Sequence, residues 1–138
     1  MVASVPGGSF TGGANMSPTM KAAVRGVVMQ ALMVLVGNLV PSVGQTPNFY
    51  AIAGTVLAAL TGAMVPRLSP GTPAGQAATG GAIAGGASSV IGGLFAVMSG
   101  QWPDFQAVQL LYPAISGGVA GGVGGMLGRL MRTPALVR

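Results

Sequence analysis

The side chains that could carry out chemistry in this chain are few, and most of them are neutral. Cysteine, histidine and glutamate are absent, and Asp104 is the only acidic residue. The chain therefore offers no ligand set for zinc, iron or copper, no Ser–His or Cys–His nucleophile and no carboxylate pair for acid–base catalysis. A proton relay within a membrane normally needs an acid or a histidine. We expect that the protein is not an enzyme and that its sequence requires no metal or other cofactor.

The remaining polar groups are amides and hydroxyls within apolar sequence. Gln30 and Asn38 lie in one apolar segment. An amide in hydrocarbon needs a hydrogen-bond partner, so we expect both to face neighbouring helices as structural contacts rather than as a substrate site. Hydroxyl groups could instead line a narrow passage, because they can coordinate a solute without charge. These hydroxyls belong to Thr79, Ser88, Ser89 and Ser116. Asp104 lies in a predicted loop and is expected to cap the helix that follows it.

The elements that must position these groups are four apolar segments. The chain has 138 residues, of which 51% are hydrophobic and 5% charged, whereas a soluble domain carries about 25% charged residues. A membrane-spanning helix takes about 20 residues, and the apolar segments cover residues 22–40, 49–65, 77–98 and 106–127. Ser17-Pro18 has the pattern of a helix start, and Pro41 of a helix end. The sequence predicts an all-α membrane protein with four transmembrane helices in two antiparallel hairpins. Residues 1–16 are expected to form a flexible tail, and residues 17–138 a single domain.

The basic residues border the apolar segments on one side only. Pro41–Asn48 and Ser99–Asp104, the two other connections, contain no lysine or arginine. The positive-inside rule then places both termini in the cytoplasm and the protein in a membrane such as the bacterial inner membrane, cytoplasmic or intracytoplasmic. The sparse positive charge indicates membrane topology and lipid headgroups rather than nucleic acid. The basic residues are Lys21, Arg25, Arg67, Arg129, Arg132 and Arg138. The expected interfacial anchors are Tyr50, Trp102, Phe105 and Tyr112 on the outer side and Arg25, Arg67, Arg129 and Arg132 on the inner side.

Small residues recur every four positions in the predicted spans. There are 25 glycines, and such spacing lets two helix backbones approach closely within a bilayer. The last two spans carry glycines on more than one face, so they could pack against several neighbours. These neighbours could be other integral subunits, copies of the same chain, lipid, carotenoid or another pigment. The expected helix-packing residues are Gly54, Ala58, Gly62, Gly81, Gly85, Gly117, Gly118, Gly121, Gly122 and Gly125.

These observations favour a non-catalytic function. The main hypothesis is a small integral subunit that packs within and stabilises a larger membrane complex, for example an energy-converting or photosynthetic one. The alternative is a small homo-oligomeric channel or transporter for a small solute. A third interpretation is a pore-forming lysis protein of the phage type, which the small size and basic tail fit better than the four spans do.

Overall fold

The computed structural model describes residues 15–132, and this part of the chain contains helices and no strands. Residues 1–14 of the predicted tail, and Arg138, lie outside it. Four of the helices are long and apolar enough to cross a membrane, which confirms the predicted all-α class and the predicted number of spans. The helices are α1 (Pro18–Leu39), α2 (Pro41–Gly44), α3 (Phe49–Leu68), α4 (Ala74–Met98) and α5 (Leu111–Leu130), and a 3₁₀ turn (Ala107–Leu110) precedes α5.

The start of α1 follows the local sequence signals, and the start of the last helix does not. The Ser17 hydroxyl accepts a hydrogen bond from the Met20 N–H at 3.1 Å, and Pro18 is the first residue of α1, as predicted. The expectation that Asp104 caps the last helix is wrong, because Asp104 is exposed in a turn and the backbone becomes helical only at Ala107. The side chain of Gln109 accepts from the Gln106 N–H at 3.2 Å instead.

The spanning helices form a bundle in which α3 and α4 are central. Each of these two contacts the other three spanning helices, whereas α1 and α5 do not contact each other. Gly81 and Gly85 of α4 lie against Gly125 and Gly117 of α5 respectively, so these two helices run in opposite directions. The described basic residues therefore lie toward the end where α1 and α4 begin and α3 and α5 end, which we call the basic end.

The bundle is packed the opposite way from a water-soluble protein. Its interior is made of small residues, and the largest fully buried side chains are Gln30, Thr61 and Ser88. Large apolar side chains lie on the outside, for example Leu32 with 54% and Ile115 with 65% of its surface exposed. A surface this apolar is stable in hydrocarbon and not in water. The fold therefore agrees with an integral membrane protein.

Candidate functional site

The spanning helices are held together by a set of backbone contacts that we call the glycine seam. A Cβ placed on Gly62 would come within 2.7 Å of the Cα of Gly121, and one placed on Gly121 within 2.9 Å of the Cα of Gly85. Real Cβ atoms essentially never approach that closely, so only glycine permits these helix distances. Gly121 thus lies where α3, α4 and α5 meet. The seam consists of Gly62, Gly81, Gly85, Gly117, Gly121, Gly124, Gly125 and Gly128.

The other expected packing residues have looser surroundings. A Cβ on Gly54, Gly118 or Gly122 would find its nearest neighbour at 3.7, 3.7 and 3.4 Å respectively, which is ordinary van der Waals contact. Ala58 is fully buried. The expected packing residues did not include Gly26, Gly37, Gly92, Gly124 or Gly128, although each lies against another helix. The sequence did carry a signal for Gly26. It lies four residues after Ala22 and four before Gln30, and these three residues belong to the buried face of α1.

Three residues of α1, α3 and α4 pack closely together in the middle of the bundle, and we call them the middle layer. It contains Gly26, Thr61 and Ser88, and a Cβ on Gly26 would lie 2.6 Å from Thr61 Cγ2 and 2.8 Å from Ser88 Cβ. The Thr61 hydroxyl donates to the Leu57 carbonyl at 2.7 Å, and the Ser88 hydroxyl donates to the Gly85 carbonyl at 3.1 Å. Both hydroxyls are therefore satisfied within their own helices.

A cavity of about 220 Å³, which we call the polar cavity, lies beyond the middle layer, on the side away from the basic end. All four spanning helices contribute to its wall. Gln30 is 2% exposed, and its Nε2 donates to the Gly54 carbonyl at 3.2 Å. Neither its Oε1 nor the Ser89 hydroxyl is hydrogen-bonded to another described residue. The polar cavity thus combines a mostly apolar wall with an amide oxygen and a hydroxyl that have capacity to bind a ligand.

A shallower depression of about 440 Å³, the outer depression, lies next to the polar cavity. It is lined by Gln101, Asp104 and Gln109, and Trp102 and Tyr112 line both cavities. The Trp102 ring stacks on Phe105 with 6.3 Å between the ring centroids. Asp104 forms no ion pair with any described residue. The two cavities therefore share an aromatic wall beside an unpaired carboxylate.

The hydroxyls expected to line one passage lie in different parts of the structure, and the two amides expected to face other helices have different surroundings. Ser89 and Ser116 line the polar cavity, but Thr79 is exposed and donates to the Gly75 carbonyl at 2.8 Å. The hydroxyls therefore do not line a common passage. The expectation that Asn38 faces another helix is also wrong, because it is exposed in the last turn of α1. A helix end at the membrane border can expose an amide to headgroups or water, whereas Gln30, at mid-helix, needs its protein partner.

The expected anchors differ in how they are held. The Tyr50 hydroxyl lies against Gly37, whereas Tyr112 is 64% exposed. Arg25 and Arg67 are exposed. Arg129 donates to the Thr72 carbonyl at 3.0 Å, and Arg132 donates to the Pro66 carbonyl at 2.6 Å.

The Arg132 contact has a cause in the sequence. In a continuing helix the Pro66 carbonyl would accept from the N–H four residues later, but that residue is Pro70, which has no N–H. A guanidinium from α5 supplies the missing donor and links the ends of α3 and α5.

Comparisons of the chain with family models, with curated proteins and with solved structures found no match.

Proposed function

We propose that this chain is a small non-catalytic integral subunit that packs within a larger membrane protein complex and stabilises it, for example an energy-converting or light-harvesting one. The observation that carries the proposal is the glycine seam, which holds the helices backbone to backbone while the large apolar side chains face outward. The loops between the spanning helices are short. Partners would therefore be met in the plane of the membrane, and they would be other integral subunits, copies of the chain and lipid rather than nucleic acid.

The proposal includes a topology. The four spans would cross the membrane as two closely packed, glycine-rich antiparallel hairpins, with both termini in the cytoplasm and the membrane being a bacterial inner membrane. Support comes from charge: the basic residues flank the starts of α1 and α4 and the ends of α3 and α5, and Asp104 lies at the opposite end. Positive charge near short loops fixes orientation in this way.

The test is extraction of the protein from its native membrane in a mild detergent, followed by measurement of the particle's mass, protein composition and absorption spectrum. We expect a large assembly that contains other integral subunits. Absorption of visible light by this assembly would show that it also binds a pigment. Recovery of a stable monomer without partners would contradict the proposal.

A second candidate is a homo-oligomeric channel or transporter for a small solute, and the polar cavity favours it. The residues of the middle layer are closely packed within a single bundle, so a passage would lie between copies or require the helices to move. Purified protein in liposomes should then be a homo-oligomer and pass solute. The absence of flux through a homo-oligomer would exclude this candidate.

A further inference from the structure

The end of the bundle opposite the basic end has an unusual chemical character. It carries the only acidic side chain of the chain, Asp104. Every described lysine and arginine lies toward the other end, so Asp104 has no cation to neutralise it among the described residues. Its surroundings are aromatic, because Trp102 and Tyr112 line the same depression. A carboxylate beside aromatic rings is the combination that binds quaternary and other organic ammonium ions.

The polar cavity extends this surface into the bundle. Trp102 and Tyr112 form part of both walls, so the outer depression adjoins the polar cavity at these two side chains. Most of the wall there is apolar, with Met33, Val34 and Ala96 as examples. A pocket of this kind, apolar with a few convergent polar groups, is typical of small-molecule sites.

The inner part of the polar cavity has two polar atoms without partners. They are the Oε1 of Gln30, in a side chain 2% exposed, and the hydroxyl of Ser89, 8% exposed. Both residues line the cavity, and among the described side chains only the Oε1 of Gln101 is both fully buried and without a hydrogen-bond partner, so the Gln30 and Ser89 oxygens face the cavity and can accept from a ligand. A ligand hydroxyl at the inner end of the cavity would supply the donor.

We propose that the polar cavity and the outer depression form one binding site for an amphipathic organic cation. The ammonium group lies at Asp104 and Trp102, the apolar body fills the space between the helices, and a terminal hydroxyl reaches Gln30 and Ser89. This site belongs to the chain itself and does not depend on its being a subunit of a complex.

The test uses the full chain in mild detergent, with Trp102 as the signal because it is the only tryptophan. Benzyltrimethylammonium is titrated, and neopentylbenzene, its uncharged isostere, is the matched ligand. We expect a saturable change in tryptophan fluorescence with the cation and at least about tenfold weaker binding of the isostere. Equal binding of the two compounds, or a change that never saturates because the compounds only partition into micelles, would overturn the proposal.

Variants locate the site. Asp104→Asn should weaken binding of benzyltrimethylammonium about fivefold, and Asp104→Glu should keep it. Arg67→Gln, which changes charge at the basic end, is the control and should leave binding unchanged. Unchanged affinity in Asp104→Asn would place the cation elsewhere. Helical circular dichroism and gel filtration of each variant show that a loss of binding is not a loss of fold.

The inner end is tested separately. A terminal hydroxyl on a chain long enough to reach from Asp104 to the middle of the helices, in (10-hydroxydecyl)trimethylammonium, should tighten binding by about threefold to tenfold over the parent compound decyltrimethylammonium. Ser89→Ala should remove most of this gain, and Arg67→Gln, which lies away from the cavity, should retain it. A gain that persists fully in Ser89→Ala would overturn the proposed orientation.

Discussion

Glycines of the same helix differ in how much space surrounds them. Gly121 has backbone atoms of α4 in the place where a side chain would begin. A Cβ placed on Gly118, less than one turn away, would find its nearest neighbour, the Ala82 carbonyl oxygen, at 3.7 Å. Spacing of four residues identifies both as small positions but does not distinguish them. The distinction depends on which face of α5 meets another backbone.

Gly121→Ala should therefore destabilise the protein, and Gly118→Ala should not. A methyl group forced into a packed interface costs about 1–3 kcal/mol, while Gly118→Ala should stay within about 0.5 kcal/mol, as a change away from tight packing does. Reversible unfolding in mixed detergent micelles measures both. The pair is matched in helix and chemistry, so equal losses would show that helix propensity, and not the seam, determines the effect.

Substitution of a buried amide should lower the free energy of unfolding more than substitution of an exposed one. Gln30 donates to the Gly54 carbonyl, whereas Asn38 is exposed. Gln30→Leu should lower the free energy of unfolding by about 0.6–2 kcal/mol, the range for hydrogen bonds between membrane helices. Asn38→Leu, the control, should leave the free energy of unfolding unchanged in the same assay. A larger loss in Asn38→Leu than in Gln30→Leu would contradict the assignment of Gln30 as the structural amide.

At the scale of the elements, the C-terminal end of α3 is stabilised by a hydrogen bond from Arg132, which follows α5. Arg132→Gln should cost about 1 kcal/mol, because the Pro66 carbonyl loses its charged donor at a partly solvated site. Arg67→Gln removes the same charge from an exposed arginine nearby and should have little effect. Unfolding curves of both variants in detergent provide the measurement. Equal losses of stability would show that the lost positive charge, and not the lost hydrogen bond, causes the effect.

Pro70→Ala tests the origin of that contact. This substitution supplies a backbone N–H at position 70, from which the Pro66 carbonyl could accept a hydrogen bond. Arg132→Gln should therefore lower the free energy of unfolding less in the Pro70→Ala background than in the native chain. Measuring both single variants and the double variant gives the coupling energy. A coupling of zero would mean that Pro70 does not create the need for Arg132.

The sequence predicted the elements better than their contacts. Apolar length and the Ser17-Pro18 cap were enough to place four helices, because membrane spans must satisfy their backbones internally. The predicted helix ends were less accurate. Helix α3 includes Pro66 and ends at Leu68, beyond the predicted range 49–65. It continues past Pro66 because a proline in the last turns removes only one helix hydrogen bond. The polar cavity could not be predicted, because Gln30, Ser89 and Trp102 are distant in the chain and meet only after packing.

At the scale of the whole molecule, the interior and the surface have exchanged their usual composition. Small residues and four polar side chains fill the centre of the described bundle, and most leucine, isoleucine and valine side chains face outward. Apolar surface gains little on moving from lipid to protein, so close backbone contact has to hold the bundle together. The same apolar perimeter is available to partners in the membrane, as the proposed subunit role requires.

The proposed topology can be measured directly, because the chain contains no cysteine and each introduced thiol is unique. Ser42→Cys and Gln106→Cys place exposed thiols near the end that carries Asp104, and Gly75→Cys places one near the basic end, where a Cβ has open space. In intact cells, a membrane-impermeant maleimide should label the first two variants and reach the third only after permeabilisation. Labelling of Gly75→Cys alone would invert the topology and move the proposed cation site to the cytoplasmic side. Labelling of Ser42→Cys without Gln106→Cys would contradict the two hairpins, because both thiols must then lie on one side of the membrane.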